Sequence, residues 1–403
     1  MSLRPLAAGL LAALALTLPL PARAGDRPVR IGVLNDQSGP YADHQGQGSV
    51  IAARLAVEDF GAKVGRPVEV VAADHQNKTD IGAAIARRWY DQDGVDLIVD
   101  VPNSAVALAV STLAREKNRV FIGSGAGTAE LTGRQCSPNT IHWTYDTWAL
   151  GHGLAKALVA QGGRSWYFIT ADYTFGKDLE ASAAEEVAAA GGSVKGSARH
   201  PIGSSDFSSY LLQAQASGAD VIGVANAGDD TSNTLKQASE FGIAPAQRLA
   251  GLILNVTHMP ALGLKATQGV HIVTGYYWDT DEGTRAFAAR YAARHPRRAM
   301  PNDMQAGVYS AVAHYLKTLA AGTDPADGRA VVAAMKAMPT DDPVFGKGSI
   351  RADGRKLHPM HLLVTKTEAE SKGGWDFFRI VRTIPADEAW RPLAAGGCPL
   401  VKS

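Results

Sequence analysis

The residues of this chain with types suited to chemistry are its histidines, a few loop aspartates and two cysteines. His44, His75, His142, His152, His200, His258 and His271 are scattered. They form no H-E-x-x-H and no His/Cys cluster at zinc spacing, so no metal site is expected. Gly123-Ser124-Gly125-Ala126-Gly127 is not a nucleophile elbow, because Ile122 and Ala126 stand where G-x-S-x-G needs glycine. It does not match G-x-G-x-x-G either, and there is no P-loop, so neither a dinucleotide nor another cofactor is implied. Asp36, Asp172 and Asp229 lie in loops ahead of helical stretches, where a carboxylate usually caps free N–H groups. No catalytic residue is expected. His44 and His258 stand apart from the other histidines because they fall on or near a group of loops with a different chemistry.

Those loops follow short apolar runs. The first set reads Asn35-Asp36-Gln37-Ser38-Gly39-Pro40-Tyr41, Pro102-Asn103-Ser104-Ala105 and Gly123-Ser124-Gly125-Ala126-Gly127-Thr128. The second reads Ala171-Asp172-Tyr173-Thr174-Phe175-Gly176, Asn226-Ala227-Gly228-Asp229 and Asn255-Val256-Thr257-His258. Small residues let backbone N–H groups approach an anion closely, and hydroxyls add donors. A carboxylate could be held by Ser104, the Ala126 amide and Thr128, with no buried lysine or arginine. Tyr173 and Phe175 suit an apolar or aromatic ligand body, and Gly125, Asn226 and Asp229 complete the candidate set.

Something must bring these loops together. Apolar runs at Val29–Leu34, Val68–Ala72, Leu97–Val101 and Val120–Ile122 alternate with helical spacing at Gln47–Ala62, Asp80–Tyr90 and Ala105–Lys117. After the turn-rich Gly133–Asn139 the rhythm repeats, with strands at 166–170, 193–199, 221–225 and 249–254 and helices between them. Such alternation specifies parallel sheets with helices on both faces. The fold class is therefore α/β with two doubly wound lobes, in which ligands bind beyond the carboxyl ends of the strands. Helices at 284–294, 303–321 and 329–338 have no sheet of their own and must cover one already built, and 348–351, 360–366 and 375–381 then read as antiparallel strands. The chain should cross between lobes near 143–148, 276–279 and 353–358, making a three-strand hinge. Residues 25–145 with 278–354 form lobe 1, and 146–277 with 355–403 form lobe 2 and the C-terminal tail.

The order DQSGPYAD, VPNSAVALAV, SGAGTAELT, TADYTFG and PVFGKGSIRADGR resembles the leucine/isoleucine/valine-binding branch of type I periplasmic binding proteins. The resemblance covers essentially the whole chain after its first 24 residues. It implies a substrate-binding component of an ABC importer, with a small-molecule carboxylate ligand, permease subunits as partners, a monomeric state and closure about a hinge. It also implies that Ser104 or Ala105 and Ala126 to Thr128 hold the ligand carboxylate, so that Thr128→Ala weakens binding. Tyr173, and more loosely Tyr41, match aromatic positions of the family. One departure matters. Amino-acid binders of the family carry an acid after the strand matching 249–254, to pair with the ligand ammonium. Here Gly251-Leu252-Ile253-Leu254-Asn255 offers none. A buried ammonium without a partner is costly, which disfavours an α-amino acid unless Asp229 or Asp230 substitutes. ADYTFG, VPNSAVALAV and PNTIHWTYDT resemble the subset that takes aromatic acids. Branched-chain amino acid or amide uptake is the alternative, and ligand sensing a further one.

Composition agrees with an exported binder. The chain has 403 residues, 40 Lys plus Arg and 39 Asp plus Glu. Leu6–Leu20 is apolar and Ala22-Arg23-Ala24 has small-x-small order, so residues 1–24 read as a signal peptide cut near Ala24, giving a periplasmic protein. Removing Arg4 and Arg23 lowers 40 basic groups to 38 against 39 acidic ones. That balance argues against nucleic acid as a partner. In an oxidising compartment Cys136 and Cys398 suggest one disulfide tying the tail to the middle of the chain, with two free thiols as the alternative.

Overall fold

A computed structural model describes residues 27–401, so the signal peptide expected at 1–24 lies outside the described residues. Strands β1 (Val29–Asn35), β2 (Val68–Asp74), β3 (Leu97–Asp100), β4 (Val120–Gly123) and β5 (Thr140–His142) form one parallel sheet in the order β2-β1-β3-β4-β5. Helices α1 (Gly46–Phe60), α2 (Thr79–Asp91) and α3 (Ser104–Glu116) alternate with them. Near-continuous burial of β1, β3 and β4 fits a sheet covered on both faces.

The second unit runs α4 (Thr147–Ala160), β6 (Ser165–Ala171), α5 (Thr174–Ala189), β7 (Ser193–His200), α6 (Ser208–Ala216), β8 (Val221–Ala225), α7 (Asp229–Glu240), β9 (Arg248–Gly251), α8 (Met259–Thr267) and β10 (His271–Thr274). Three helices then follow, α9 (Glu282–Arg294), α10 (Asp303–Ala320) and α11 (Gly328–Ala337). They pack on the first sheet, where Phe287, Tyr291, Val308, Leu316 and Met335 share a core with Val33, Leu97 and Ile122. Strands β11 (Thr340–Asp342), β12 (Gly346–Ile350) and β13 (Lys356–Leu357) make a small antiparallel sheet. Finally β14 (Met360–Thr365) and β15 (Phe378–Ile384) add antiparallel strands to the second sheet, whose order is β15-β14-β10-β9-β8-β6-β7. The result is two α/β lobes.

The sequence reading omits β5, β10, β11, β13 and α8. Most of these are two to four residues long, too short to show a period. The run at 249–254 is strand only to Gly251. Its last three residues leave the sheet, and Ile253 goes to a pocket wall instead.

The chain passes between lobes after β5, after β10 and after β13, and the first and third passages bind each other. His142 bridges Arg355 in parallel. The Arg355 guanidinium donates to the Tyr145 carbonyl at 3.1 Å, and His358 Nε2 lies 2.8 Å from the Thr144 carbonyl. Lys356 is fully buried with its ammonium 5.0 Å from the Trp143 ring centre and 4.1 Å from that of Phe345. Burial pushes it down to about 8, and the ring faces offer partial compensation. The tail from β15 follows this hinge. Trp390 Nε1 donates to the His358 carbonyl at 2.9 Å and Arg391 to the Ala129 carbonyl at 3.0 Å. A Cys136–Cys398 disulfide, Cα–Cα 5.6 Å, then fixes the tail to the first lobe. Among the described residues no helix is long and apolar enough to cross a membrane.

Candidate functional site

The loops at the carboxyl ends of the strands face one another across the cleft. In the first lobe Asp36 holds the loop after β1, accepting from the Gly39 and Tyr41 amides at 2.8 and 3.0 Å, which sets Tyr41 toward the opposite lobe. After β3 the chain turns through two non-glycine residues at positive φ, Asp100 (85°) and Val101 (55°). Such conformations are uncommon and need support. Asp100 is anchored by Asn35 Nδ2 at 2.9 Å, and the turn delivers Pro102 to the cleft. Burial pushes the Asp100 carboxyl up to about 7.

The pocket between the lobes has about 330 Å³ of empty space, its mouth included. The first lobe and hinge supply Tyr41, His44, Gln45, Pro102, Gly125, Tyr145 and Met304. The second lobe supplies Tyr173, Phe175, Ala227, Gly228, Ile253 and His258. Three tyrosines, a phenylalanine and two histidines dominate, and the wall contains no Asp, Glu, Lys or Arg. Burial lowers His44 to about 4 and His258 well below its usual range, and raises Tyr41, Tyr145 and Tyr173, so all five rings are neutral at pH 7. The charge preference of the site comes from the backbone. Helices α1, α5, α7 and α10 all begin at lining residues or next to them, and their N-termini favour negative charge.

The lobes touch across the cleft. The Tyr41 and Tyr173 hydroxyls are 2.5 Å apart, and the Asp229 amide donates to the Pro40 carbonyl at 3.2 Å. Thr128 Oγ1 donates to Asp178 Oδ2 at 2.6 Å. This is a closed arrangement.

Of the residues singled out from sequence, Tyr41, His44, Gly125, Tyr173, Phe175 and His258 line the pocket. Ser104 is buried outside its wall, with Oγ making no hydrogen bond. The Ala105 amide is already capped by Asn103 Oδ1 at 3.0 Å. Ala126 is buried behind Gly125 and its carbonyl takes a hydrogen bond from His142 Nε2 at 2.8 Å. Asn226 spends its amide inside the second lobe, on His200 and Thr234, and accepts from Thr231. Asp229 is exposed at the start of α7. Asp230, the other possible partner for an ammonium, is buried and accepts from the Gly203 amide at 3.1 Å, away from the wall.

Thr128 sits on the contact between lobes rather than in the wall, which changes what its removal should do. The Thr128–Asp178 bond is a hydroxyl-to-carboxylate bond of the stronger kind. Thr128→Ala should therefore weaken every ligand by about tenfold, the equivalent of ~1.4 kcal/mol, acids and neutral compounds alike. Calorimetry on a benzoate–benzamide pair checks it; a loss confined to the acid would return Thr128 to direct carboxylate contact.

Gln45, Tyr145, Ile253 and Met304 escape the sequence reading as site residues, and Pro102, Ala227 and Gly228 enter it only as members of their loops. One of them had a signal. Asn302 and Gln305 form a capping box at the start of α10, which places Met304 and matches the N-x-x-Q helix-start pattern. The others are apolar or small and carry no chemical signature.

Two lobes that close on a pocket walled by aromatic rings define a solute-binding receptor. The comparisons agree. The family model described as periplasmic binding protein matches residues 28–373. A crystal structure of a periplasmic binding protein from Burkholderia mallei is 47% identical, covers 93% of this chain and 99% of that one, and superposes with a TM-score of 0.90. A branched chain amino acid ABC transporter periplasmic ligand-binding protein from Burkholderia xenovorans LB400 is 39% identical over 92% and 99% of the two chains, TM-score 0.82. An R. palustris solute-binding protein in complex with 4-hydroxybenzoate shares the fold, with 23% identity over 90% and 99% and a TM-score of 0.82. The chain belongs to the periplasmic binding protein family. It is a substrate-binding protein of the ABC-transporter type and not an enzyme.

Proposed function

We propose that this protein captures a small organic acid, with aromatic acids the preferred class, and presents it in the closed state to an ABC permease. The pocket wall carries the reading: four aromatic rings from Tyr41, Tyr145, Tyr173 and Phe175, and no charged side chain. Rings of this kind stack on an aromatic body, and the helix N-termini suit its carboxylate. Ile253 occupies the region where an acid would be needed to pair an ammonium. Closure of the lobes about three strands would bury the ligand.

A thermal-shift panel of benzoate, 4-hydroxybenzoate, 4-methylpentanoate, benzamide, leucine, isoleucine and valine tests it. A ligand at a hundred times its Kd stabilises the native state by about 2.7 kcal/mol, enough to raise the melting point by a few degrees. The acids should do so and the amino acids should not; the reverse pattern would refute the proposal.

A second reading has one specific support. Asp100 Oδ1 is buried behind Gly125 with no hydrogen bond, so a ligand amino group over Gly125 would find a carboxylate beneath it. Together with the name of the 39% identical structure, this favours a branched-chain amino acid. The leucine, isoleucine and valine arms of the panel decide between the two.

A further inference from the structure

The pocket wall has few polar side chains, and most are already engaged. The Tyr145 hydroxyl donates to the Gly125 carbonyl at 2.7 Å, the Tyr41 and Tyr173 hydroxyls face each other, and His44 Nδ1 lies 2.7 Å from Thr257 Oγ1. Two side-chain atoms of the wall are buried with no hydrogen-bond partner among the described residues: His258 Nε2 on the second lobe and Gln45 Oε1 on the first. A neutral imidazole nitrogen either donates or accepts, whereas an amide oxygen only accepts. Gln45 therefore states which chemistry it lacks. The residue is 1% exposed and stands at the N-cap of α1, where its side chain caps none of the helix's free N–H groups. Its backbone is held at both ends, the N–H donating to the Tyr41 carbonyl at 3.2 Å and the carbonyl accepting from the Ser49 amide at 2.9 Å. The amide tip lies between two other wall residues. Nε2 is 2.7 Å from Met304 Sδ and 2.9 Å from the place a Cβ on Gly125 would take. A thioether has no proton to give, so the amino group is the end that faces it and Oε1 is the end left over. A buried acceptor without a donor is costly, and that cost is recovered when a ligand supplies the donor.

We propose that Gln45 is a specificity residue that reads a hydroxyl group on the ligand, Oε1 accepting its proton, so that the protein prefers hydroxylated organic acids to their unsubstituted parents. The inference rests on the reading of the ligand as an organic acid and narrows it. The ligand carboxylate is no partner for Oε1, because both groups accept; its donors are the N–H groups at the helix N-termini. An ammonium could donate to Oε1, but a neutral amide gives a buried cation no counter-charge. A hydroxyl brings one proton, no charge and little bulk, which suits an amide oxygen set among aromatic rings. When the lobes close over an acid without that hydroxyl, Oε1 is sealed in unpaired. Discrimination by a missing bond of this kind is stronger than discrimination by shape.

Calorimetry with matched pairs tests it. The probes are benzoate against its 2-, 3- and 4-hydroxy derivatives, and 4-methylpentanoate against 2-hydroxy-4-methylpentanoate. In the wild-type protein at least one hydroxy acid should bind about 10- to 100-fold more tightly than its parent, the range expected from pairing one buried acceptor. Gln45→Met keeps the length of the side chain and removes the amide. It should bring that preference to about twofold or less, while the parent acids bind as well as before or better, because no acceptor is then left unpaired. A residue that only shaped the loop would weaken parent and hydroxy acid together. Melting curves report whether Gln45→Met folds, Gln45→Leu provides a second variant, and the wild-type comparison stands without either. Parents that bind as tightly as every hydroxy acid, a preference that persists in Gln45→Met, or an equal loss for both members of a pair overturns this inference and leaves the acid reading standing. If none of the acids binds, both fail together.

Discussion

Gly127→Val should lower ligand affinity by about 100-fold, or ~2.7 kcal/mol, while the ligand-free protein stays folded. Gly127 lies in the first lobe's loop, and a Cβ placed there would stand 2.5 Å from two ring carbons of Phe175 in the second lobe. Real carbons do not approach so closely, so a side chain at 127 must push the lobes apart or expel Phe175 from the pocket. The φ of Gly127 is not in the left-handed region, so the substitution costs little in the backbone itself, and Gly127 contributes nothing to either lobe's core. Affinity for whichever acid the thermal screen identifies, together with the radius of gyration by small-angle scattering, would test this. The variant should remain open with saturating ligand. Combining it with Phe175→Ala should restore compaction, because the ring that blocks closure is gone, although the lost stacking keeps affinity low. Normal affinity and normal compaction in Gly127→Val would show that the lobes do not meet at this contact when ligand is bound.

The second large effect is acid lability. All eleven histidines lie below their usual range, mainly through burial. Six of them are shifted furthest: His44, His75 and His314, each to about 4, and His142, His258 and His358, all pushed well below the usual range. A histidine depressed in the folded state contributes stability that is present above its unfolded value near 6.5. It is lost as pH falls toward the folded value, because the unfolded chain binds the proton first. Six carboxyls act in the opposite sense, burial raising Asp178, Glu186 and Asp229 as well as three further aspartates. Asp100 and Asp230 are raised to about 7 and Asp303 to about 6, so the folded state keeps protons that the unfolded chain releases. Eleven histidines against six carboxyls leave the unfolded state binding more protons between pH 6.5 and 5. Each net proton is about 1.4 kcal/mol per pH unit, so even two give a loss of ~2.7 kcal/mol over one unit. That is a large part of a typical folding free energy. Urea midpoints measured at pH 7.0, 6.0 and 5.0 should fall steadily, with a steeper drop below 6.5. A midpoint flat over that interval would mean that the buried histidines are matched by carboxyls after all.

How much of this molecule was legible in the sequence follows from the range of each interaction. Alternating apolar runs and helical periods are local, so the two α/β units and the rule that ligands sit beyond the strand ends could be read from the chain alone. So could the return of α9 to α11 to an existing sheet, since helices without strands have nowhere else to bury their apolar faces. The leader-like first 24 residues, the pair of cysteines and the missing acid after β9 are likewise properties of residue order. Tyr41, Tyr173 and the outlying His44 and His258 were visible because aromatic and ionisable side chains on strand-end loops carry a chemical signature.

What the tertiary structure alone decided is which atoms are left over once the loops have satisfied themselves. Asn103 takes the Ala105 amide, Asp178 takes the Thr128 hydroxyl, and His200 with its neighbours takes Asn226. Three residues suited to grip a ligand are thereby spent on their surroundings. Gln45, Gly228, Ile253 and Met304 reach the pocket only through the crossing of two lobes far apart in sequence. A donor becomes a ligand contact when no nearer partner claims it, and that competition is settled by packing at distances the residue order does not encode.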